Sequence, residues 1–402
     1  MPTIDLWAVD GYISTPDGKS IYIWGFTDKA GGSAQLPGPT IIIKRQDPPA
    51  RTMVTVNLTN SLPEPVSILF PGQSEVRVNG NPVQPQYQNG SLISLTNHCL
   101  PGETITYTFY AENSGTFLYE SGTNPHKQVP MGLYGAIIVR PQDYMPDHTG
   151  YKTAYGTGTG TEFDREYLLV VGEIDPDLHQ AVELGKPYDT RVYKPRYWTM
   201  NGRCANDTML PDNVDHLPNQ PHGAMIMLEP GEKVLIRYAG AGVENHPLHP
   251  HGNHTRLVGM DGRLLQNRTL SNTTDLSYKR FTVLTGAGQT YDQIYTWTGL
   301  GFEPVTNQIP TVIPNLRNMA IGHTGMTMWS GSPYLGVKGE LPSGMVSYNE
   351  VGEYHFMLHS HAEPEITNWG AFPGGLMTMI AVYPNGTLER HHGMLPVESH
   401  GL

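Results

Sequence analysis

The chain has 402 residues, a formal net charge of −12 and only 15% charged side chains. Its 45 glycines and 34 prolines make about a fifth of the sequence, which favours short strands joined by turns over long helices. The acidic balance excludes a basic nucleic-acid-binding stripe, and no apolar run reaches the roughly 18 residues needed to span a membrane.

The N-terminus, "MPTIDLWAVDG", lacks the basic region and apolar segment of a signal peptide. The runs "SIYIWGFTD", "TIIIKRQ", "TMVTVNLTN", "TITYTFYAE" and "YGAIIVRP" predict strands, separated by Gly, Pro and Asn turns at the spacing of a sandwich or barrel. They place a first domain at residues 1–145. The Pro/Gly/Thr-rich stretch 141–164 predicts a linker, with 146–164 lying between the domains. A second β-rich domain, 165–402, opens on "EYLLVVGEI" and carries a long Gly/Asn/Thr-rich insertion at about 255–345. Its end, "NGTLERHHGMLPVESHGL", reads as polar and loose. Cys99 and Cys204 leave two options open, a disulfide joining the halves or two separate thiols. Seven N-x-S/T sequons, Asn57 and Asn272 among them, are compatible with secretion.

The two halves share a pattern. "GTFLYESG" then "GLYGAIIVRP" in the first answers to "GEYHFMLHSH" then "GGLMTMIAVYP" in the second. Aligned, Glu120 meets His359, Ser121 meets Ser360 and Gly122 meets His361. Each half also has a strand opening on PGE, "PGETITYTF" and "PGEKVLIRY". Two copies of one β-domain are expected.

The stretch "HPLHPHGNH", residues 246–254, holds His246, His249, His251 and His254. In extended chain an H-x-H pair presents both imidazoles on one face, because side chains alternate with period 2. His249 with His251 is one such pair, and His359 with His361 in "LHSHAEPE" is another. A lone histidine beside Pro or Gly more often hydrogen-bonds within a turn. Two pairs in a duplicated β-domain point instead to a metal, since converged imidazoles suit copper, zinc, iron or nickel. Glu363 and Glu365 are either partners that fix imidazole tautomers or exposed loop charges. Met319, Met326 and Met328 with His323, and the tail's His391, His392 and Met394, read either as a soft Cu(I) patch or as gap-filling side chains.

These motifs resemble those of the multicopper oxidases. "HPLHPHGNH" is similar to the family's H-P-x-H-x-H-G motif, and "LHSHAEPEITNWGAFPGGLMTM" to its terminal H-C-H motif. "GTFLYESG" resembles the first-domain G-T-x-W-Y-H-S-H segment, "SILFPGQ" the S-x-H-W-H-G-Q segment, and "GPTIIIKRQDPPARTMVTVNLTN" the opening strands. The likeness runs over most of the chain and is weakest in 145–195 and 255–345. It implies an all-β protein of two cupredoxin-like Greek-key β-sandwich domains. It gives His246 the place of a type 1 copper ligand, and His249, His251, His359 and His361 places in a trinuclear copper cluster. Ser360 stands where the type 1 cysteine belongs, and Glu365 where a later type 1 histidine belongs; Leu376 and Met377 lie where an axial residue would be sought. A serine hydroxyl does not replace a thiolate in a blue-copper site, so no type 1 copper is expected. In the first domain, Leu69, Pro71, Glu120 and Gly122 occupy the histidine places. Glu120 is the one substitution that retains a metal-binding group; it is equally a salt-bridge or hydrogen-bond partner at the domain boundary.

The resemblance thus implies a copper-binding oxidoreductase with a reduced metal set. It would hold one or two copper ions, or zinc, at His249, His251, His359 and His361, with His246, His254 or Glu120 as further ligands. The alternatives are a non-catalytic cupredoxin protein for copper binding, storage or delivery, and a zinc-dependent hydrolase. The expected partners are a small-molecule or metal-ion substrate, with no nucleic acid and no membrane span. An extracellular or periplasmic location is expected, and a homotrimer is compatible with the relatives' assemblies.

Overall fold

A computed structural model of the protein describes residues 2–148, 150–269, 272–298, 354–371, 374–383, 385–389 and 395. The methionine and histidine patches at 319–328 and 391–394 lie outside these residues. The expected alternation is plain in Thr52–Asn60, where buried and half-buried residues follow one another with period 2. Tyr134–Arg140 and Met377–Val382 are buried on both faces, because something covers each sheet from outside as well as within.

Each half of the chain builds two facing sheets. In the first, one sheet runs Ser20–Thr27, Thr3–Ser14, Thr52–Asn60, Thr104–Ala111, Ser74–Val78, Asn81–Pro82; the other runs Gly115–Glu120, Tyr134–Arg140, Ile41–Lys44. Ile4, Leu6, Val54 and Val56 of one sheet share a core with Ile43, Phe117, Ile137 and Val139 of the other. The second half repeats this order with Tyr197–Met200, Arg165–Ile174, Val234–Gly240, Thr290–Tyr295 and Thr255–Met260 in one sheet. Its facing sheet runs Ile226–Leu228, Met377–Val382, Tyr354–Ser360, His246–Pro250, Val283–Thr285. Leu169, Val171 and Ile236 meet Leu248, Phe356, Leu358 and Ile380 in its core. The likeness extends to strand direction: Thr3–Ser14 is parallel to Thr52–Asn60, as Arg165–Ile174 is to Val234–Gly240. The fold is all-β, two sandwiches of one topology.

Two details differ from expectation, and one question left open by the sequence is closed. The two PGE strands are not equivalents: Val234–Gly240 holds the place of Thr52–Asn60, and the counterpart of Thr104–Ala111 is Thr290–Tyr295. A shared turn, which any strand entry can use, misled the alignment. Thr255–Met260 and Thr290–Tyr295, inside the stretch read as an insertion, are paired strands of the main sheet; Gly and Thr had diluted their apolar signal. Finally, Cys99 and Cys204 are free thiols buried in different clusters, so no disulfide joins the halves. Burial pushes their thiols up to about 11 and about 12.

The two sandwiches share an apolar seam, in which Val9, Ile13 and Leu118 pack with Val170, Ile174, Ala239 and Ala241. Beside it lies a buried charge network. Arg140 grips Glu166 through two hydrogen bonds of 2.7 and 2.6 Å, and Arg237 binds Glu166 at 2.6 Å and Asp292 at 2.9 Å. Thr116 and Tyr155 donate their hydroxyls to Asp292. Two positive and two negative side chains, all buried, thus tie residues 116 and 140 to the second half. A Glu166→Gln variant leaves two arginines without their shared anion. It should destabilise the protein by about 3–5 kcal/mol, read as a lower urea midpoint, whereas Asp189→Asn in the exposed Arg191 pair should leave the midpoint unchanged.

Candidate metal centre

His246–Pro250 pairs antiparallel with Tyr354–Ser360, and the register sets His249 directly opposite His359. Leu248 and Leu358 enter the core, so the alternating His249 and His359 emerge on the outer face of the sheet. The chain then continues to His251, whose N–H donates to the Met357 carbonyl at 2.8 Å, and to His361, whose N–H donates to the Pro247 carbonyl at 2.8 Å. Four imidazoles from segments about a hundred residues apart meet there. The ring of His249 lies 5.1 Å from that of His251, 5.7 Å from that of His359 and 5.0 Å from that of His361, centre to centre.

Their hydrogen bonds identify the free nitrogens. His359 Nδ1 is 2.6 Å from the Ser360 carbonyl oxygen, which can only accept, so Nδ1 carries the proton and Nε2 its lone pair. That Nε2 lies 3.1 Å from His251 Nε2, a contact that needs one proton between the two nitrogens or a cation in its place. Thr282 Oγ1 sits 2.7 Å from His249 Nδ1, leaving Nε2 of that ring for the cluster. Burial, reinforced by the neighbouring rings, holds His251 down at about 4 and lowers His249 and His359 as well. These shifts favour the neutral ring on His249, His251 and His359, the state in which imidazole binds metal. Two nitrogens 3.1 Å apart subtend roughly 100° at an ion about 2 Å from each. In donor type the set fits a metal, although among the described residues no three of these groups close around a single point as placed.

The other candidates lie elsewhere. His254 packs edge-on against Phe281, which also touches His249, and makes no ring contact with the four. Glu120 lines an open pocket at the domain boundary with Pro125, His126, Gly242, Val243 and Gly288, and none of the four histidines borders it. Burial raises its carboxyl. Its backbone is bridged to Leu69, the same pairing that His249 makes with His359, and the neighbouring Gly122 is closed off: a Cβ there would fall 2.8 Å from Leu69 Cγ. The first-half counterpart of the histidine cluster is packed shut by a leucine.

His246 points the other way, into the sandwich, and both its nitrogens face carboxylates. Nδ1 lies 3.1 Å from Glu365 Oε2 and Nε2 3.3 Å from Glu173 Oε2. Burial opposes its charge, but the two hydrogen-bonded carboxylates outweigh it and raise the ring from 6.5 to about 9. Glu173 also accepts from the Val243 N–H at 2.7 Å and the Tyr193 hydroxyl at 3.2 Å. Glu365 is buried, the partner role among its two expected readings; Glu363 is exposed and 3.7 Å from His361 Nδ1. Sequence reasoning missed Glu173, although a carboxylate inside the apolar run "EYLLVVGEI" was a usable signal. It also missed Thr282, for which no signal exists.

Paired H-x-H segments on the outer face of a two-sheet sandwich, within a chain made of two such sandwiches, define a two-domain cupredoxin protein. A family model described as multicopper oxidase matches residues 23–144. An L-ascorbate oxidase of Nicotiana tabacum is 25% identical over 330 residues, 78% of this chain and 51% of that protein. A copper-containing nitrite reductase of Pseudomonas chlororaphis is 26% identical over 249 residues, 58% of this chain and 56% of that protein. In structure, a blue copper oxidase from Nitrosomonas europaea superposes with a TM-score of 0.59 at 20% identity, covering 95% of this chain and 86% of that one. The chain spans about half the length of the curated relatives it matches. Residues 23–144 thus carry a multicopper oxidase match, and the chain as a whole shares the fold of the blue copper oxidase.

The ion triad has a pH signature. Because the folded-state pKa of His246 is raised, its contribution is fully present below about 6.5 and lost as pH rises through about 9. Urea midpoints across that window should show wild type losing its advantage over Glu365→Gln as the imidazolium deprotonates. A constant gap would mean that His246 does not change charge across that window.

Proposed function

We propose that this protein is a copper-binding oxidoreductase with a reduced metal set, holding one or two copper ions at His249, His251, His359 and His361. The observation that carries the reading is the contrast between two faces of one sheet. Outside, four imidazoles gather; inside, Ser360 stands in the place of the family's cysteine and His246 is held by two carboxylates. Copper bound by imidazole would supply one-electron chemistry or a Lewis acid, and it stands above zinc in affinity for such a site. The chain's own part is to hold the rings in register, fix the proton on His359 Nδ1 and, by burial, disfavour the charged form of His249, His251 and His359. Without a type 1 centre, a small-molecule or metal-ion substrate would have to meet the histidine face directly.

The names of the relatives, oxidases and copper-containing reductases, support copper over zinc. We extend the reading to an extracellular or periplasmic protein, in keeping with the sequons, and to a homotrimer as the assembly to test. His254 and Glu120 would serve as ligands only after rearrangement or through a second copy.

Protein loaded with copper and zinc in competition should retain copper, one or two ions per chain by elemental analysis, without an intense blue absorption band. His249→Ala with His359→Ala should abolish retention. Zinc alone in the purified protein would favour the hydrolase instead, and no metal in wild type or variant would sink the proposal.

A further inference from the structure

The sheet face that presents the histidines also presents methionines. On Tyr354–Ser360, Phe356 and Leu358 enter the core, so Met357 and His359 share the outer face. On Met377–Val382, Ile380 and Val382 enter the core, and Met377 and Met379 share that outer face. Register pairs His359 with Met377 on one side and with His249 on the other. Two residue pairs along, Met357 pairs with Met379 and its carbonyl accepts from the His251 N–H. Two rows result, His249–His359–Met377 and His251–Met357–Met379. Cross-strand neighbours on one face have Cβ atoms roughly 5 Å apart, within reach of an unbranched thioether. The three methionines share one apolar cluster with Met209, Met225, Ala205 and Ile366.

The first half supplies an internal comparison. There Gly115–Glu120 and Tyr134–Arg140 take the same places, with Phe117 opposite Ile137 as Phe356 is opposite Ile380. Core-facing positions keep their side chains: Phe117 and Phe356, Ile137 and Ile380, Val139 and Val382. Four outward positions around the histidine row differ. Glu120, Leu118, Tyr134 and Ala136 stand where the second half has His359, Met357, Met377 and Met379. The first copy fills this face without sulfur, so packing in this fold does not require methionine here. Thioether appears on the copy that carries the imidazoles.

We propose that Met357, Met377 and Met379 give the imidazole cluster a thioether wall that selects a soft monovalent cation, Cu(I), against divalent ions. The inference rests on the histidine site proposed above and adds the oxidation state it favours. Thioether is soft, uncharged and has no proton to displace, so it stabilises Cu(I) while offering little to Zn(II).

The test is an anaerobic titration of the full chain with Cu(I) against a chromogenic Cu(I) chelator, with Zn(II) as the divalent comparison. The variant is Met357→Leu, Met377→Leu, Met379→Leu, which conserves volume; Met357→Leu alone serves if the triple variant does not fold. Cu(I) affinity should fall by about tenfold or more with Zn(II) affinity unchanged, and X-ray absorption of the Cu(I) form should lose its sulfur scatterer. Unchanged Cu(I) affinity, or no sulfur scatterer in wild type, overturns the thioether wall. So does an equal loss of both metals in the variant. Failure of the histidine site itself reads differently: His249→Ala with His359→Ala would then leave both Cu(I) and Zn(II) uptake unchanged.

Discussion

The antiparallel pairing of His246–Pro250 with Tyr354–Ser360 joins segments about a hundred residues apart, and the outer face of the second sandwich depends on its register. A slip of one residue would turn His249 and His359 inward and drive Leu248 and Leu358 out. The buried leucines forbid that slip, and the amides of His251 and His361 extend the ladder beyond the paired strands. An apolar core on one face therefore fixes polar donors on the other. Once the rings are fixed, burial lowers the basicity of His249 and His251, and the neighbouring rings lower it further.

The same topology has met two fates in one chain. Leu69 and Glu120 form in the first sandwich the pair that His249 and His359 form in the second, but Leu69 fills the space over Gly122 and no donor set is left. That face instead became a place to join the halves, with Leu118, Tyr134 and Ala136 in the shared seam. The Arg140–Glu166–Arg237–Asp292 network then fixes how the halves meet, because the buried Arg140 of the first half takes its carboxylate, Glu166, from across the boundary. Glu120 is left at the edge of this junction, its carboxyl raised by burial, which fits the boundary role as well as any ligand role.

Local signals carried the sequence reading far. Alternating strands, the repeated motif around Glu120 and His359, and the H-x-H pairs were legible because each depends on residues close in the chain. What could not be read depends on partners brought from a distance. Glu173 meets His246 across 73 residues and Thr282 meets His249 across 33. The PGE strands looked alike because a turn repeats anywhere, whereas strand order is decided only by pairing. The cysteines illustrate the reverse: two thiols in turn-like contexts left a disulfide open, and the separate clusters they occupy close it.

The inner face explains why Ser360 is coherent rather than merely a loss. Ser360 pairs with Leu248 across the strands and so shares the side of the sheet that His246 takes. Two carboxylates already face His246, and Glu244, lifted by burial and by Glu173 and Glu365 against the pull of its Trp198 hydrogen bond, lies in the same field. A thiolate at position 360 would add another negative charge to a buried region whose described positive partner is one imidazolium. A neutral hydroxyl, accepting the Ala362 N–H at 3.2 Å, adds none. Glutamate at 365 and serine at 360 therefore belong together. The carboxylates favour the protonated His246, and a protonated ring offers no nitrogen to a metal, so a cysteine placed at 360 would lack that ligand while Glu365 remains.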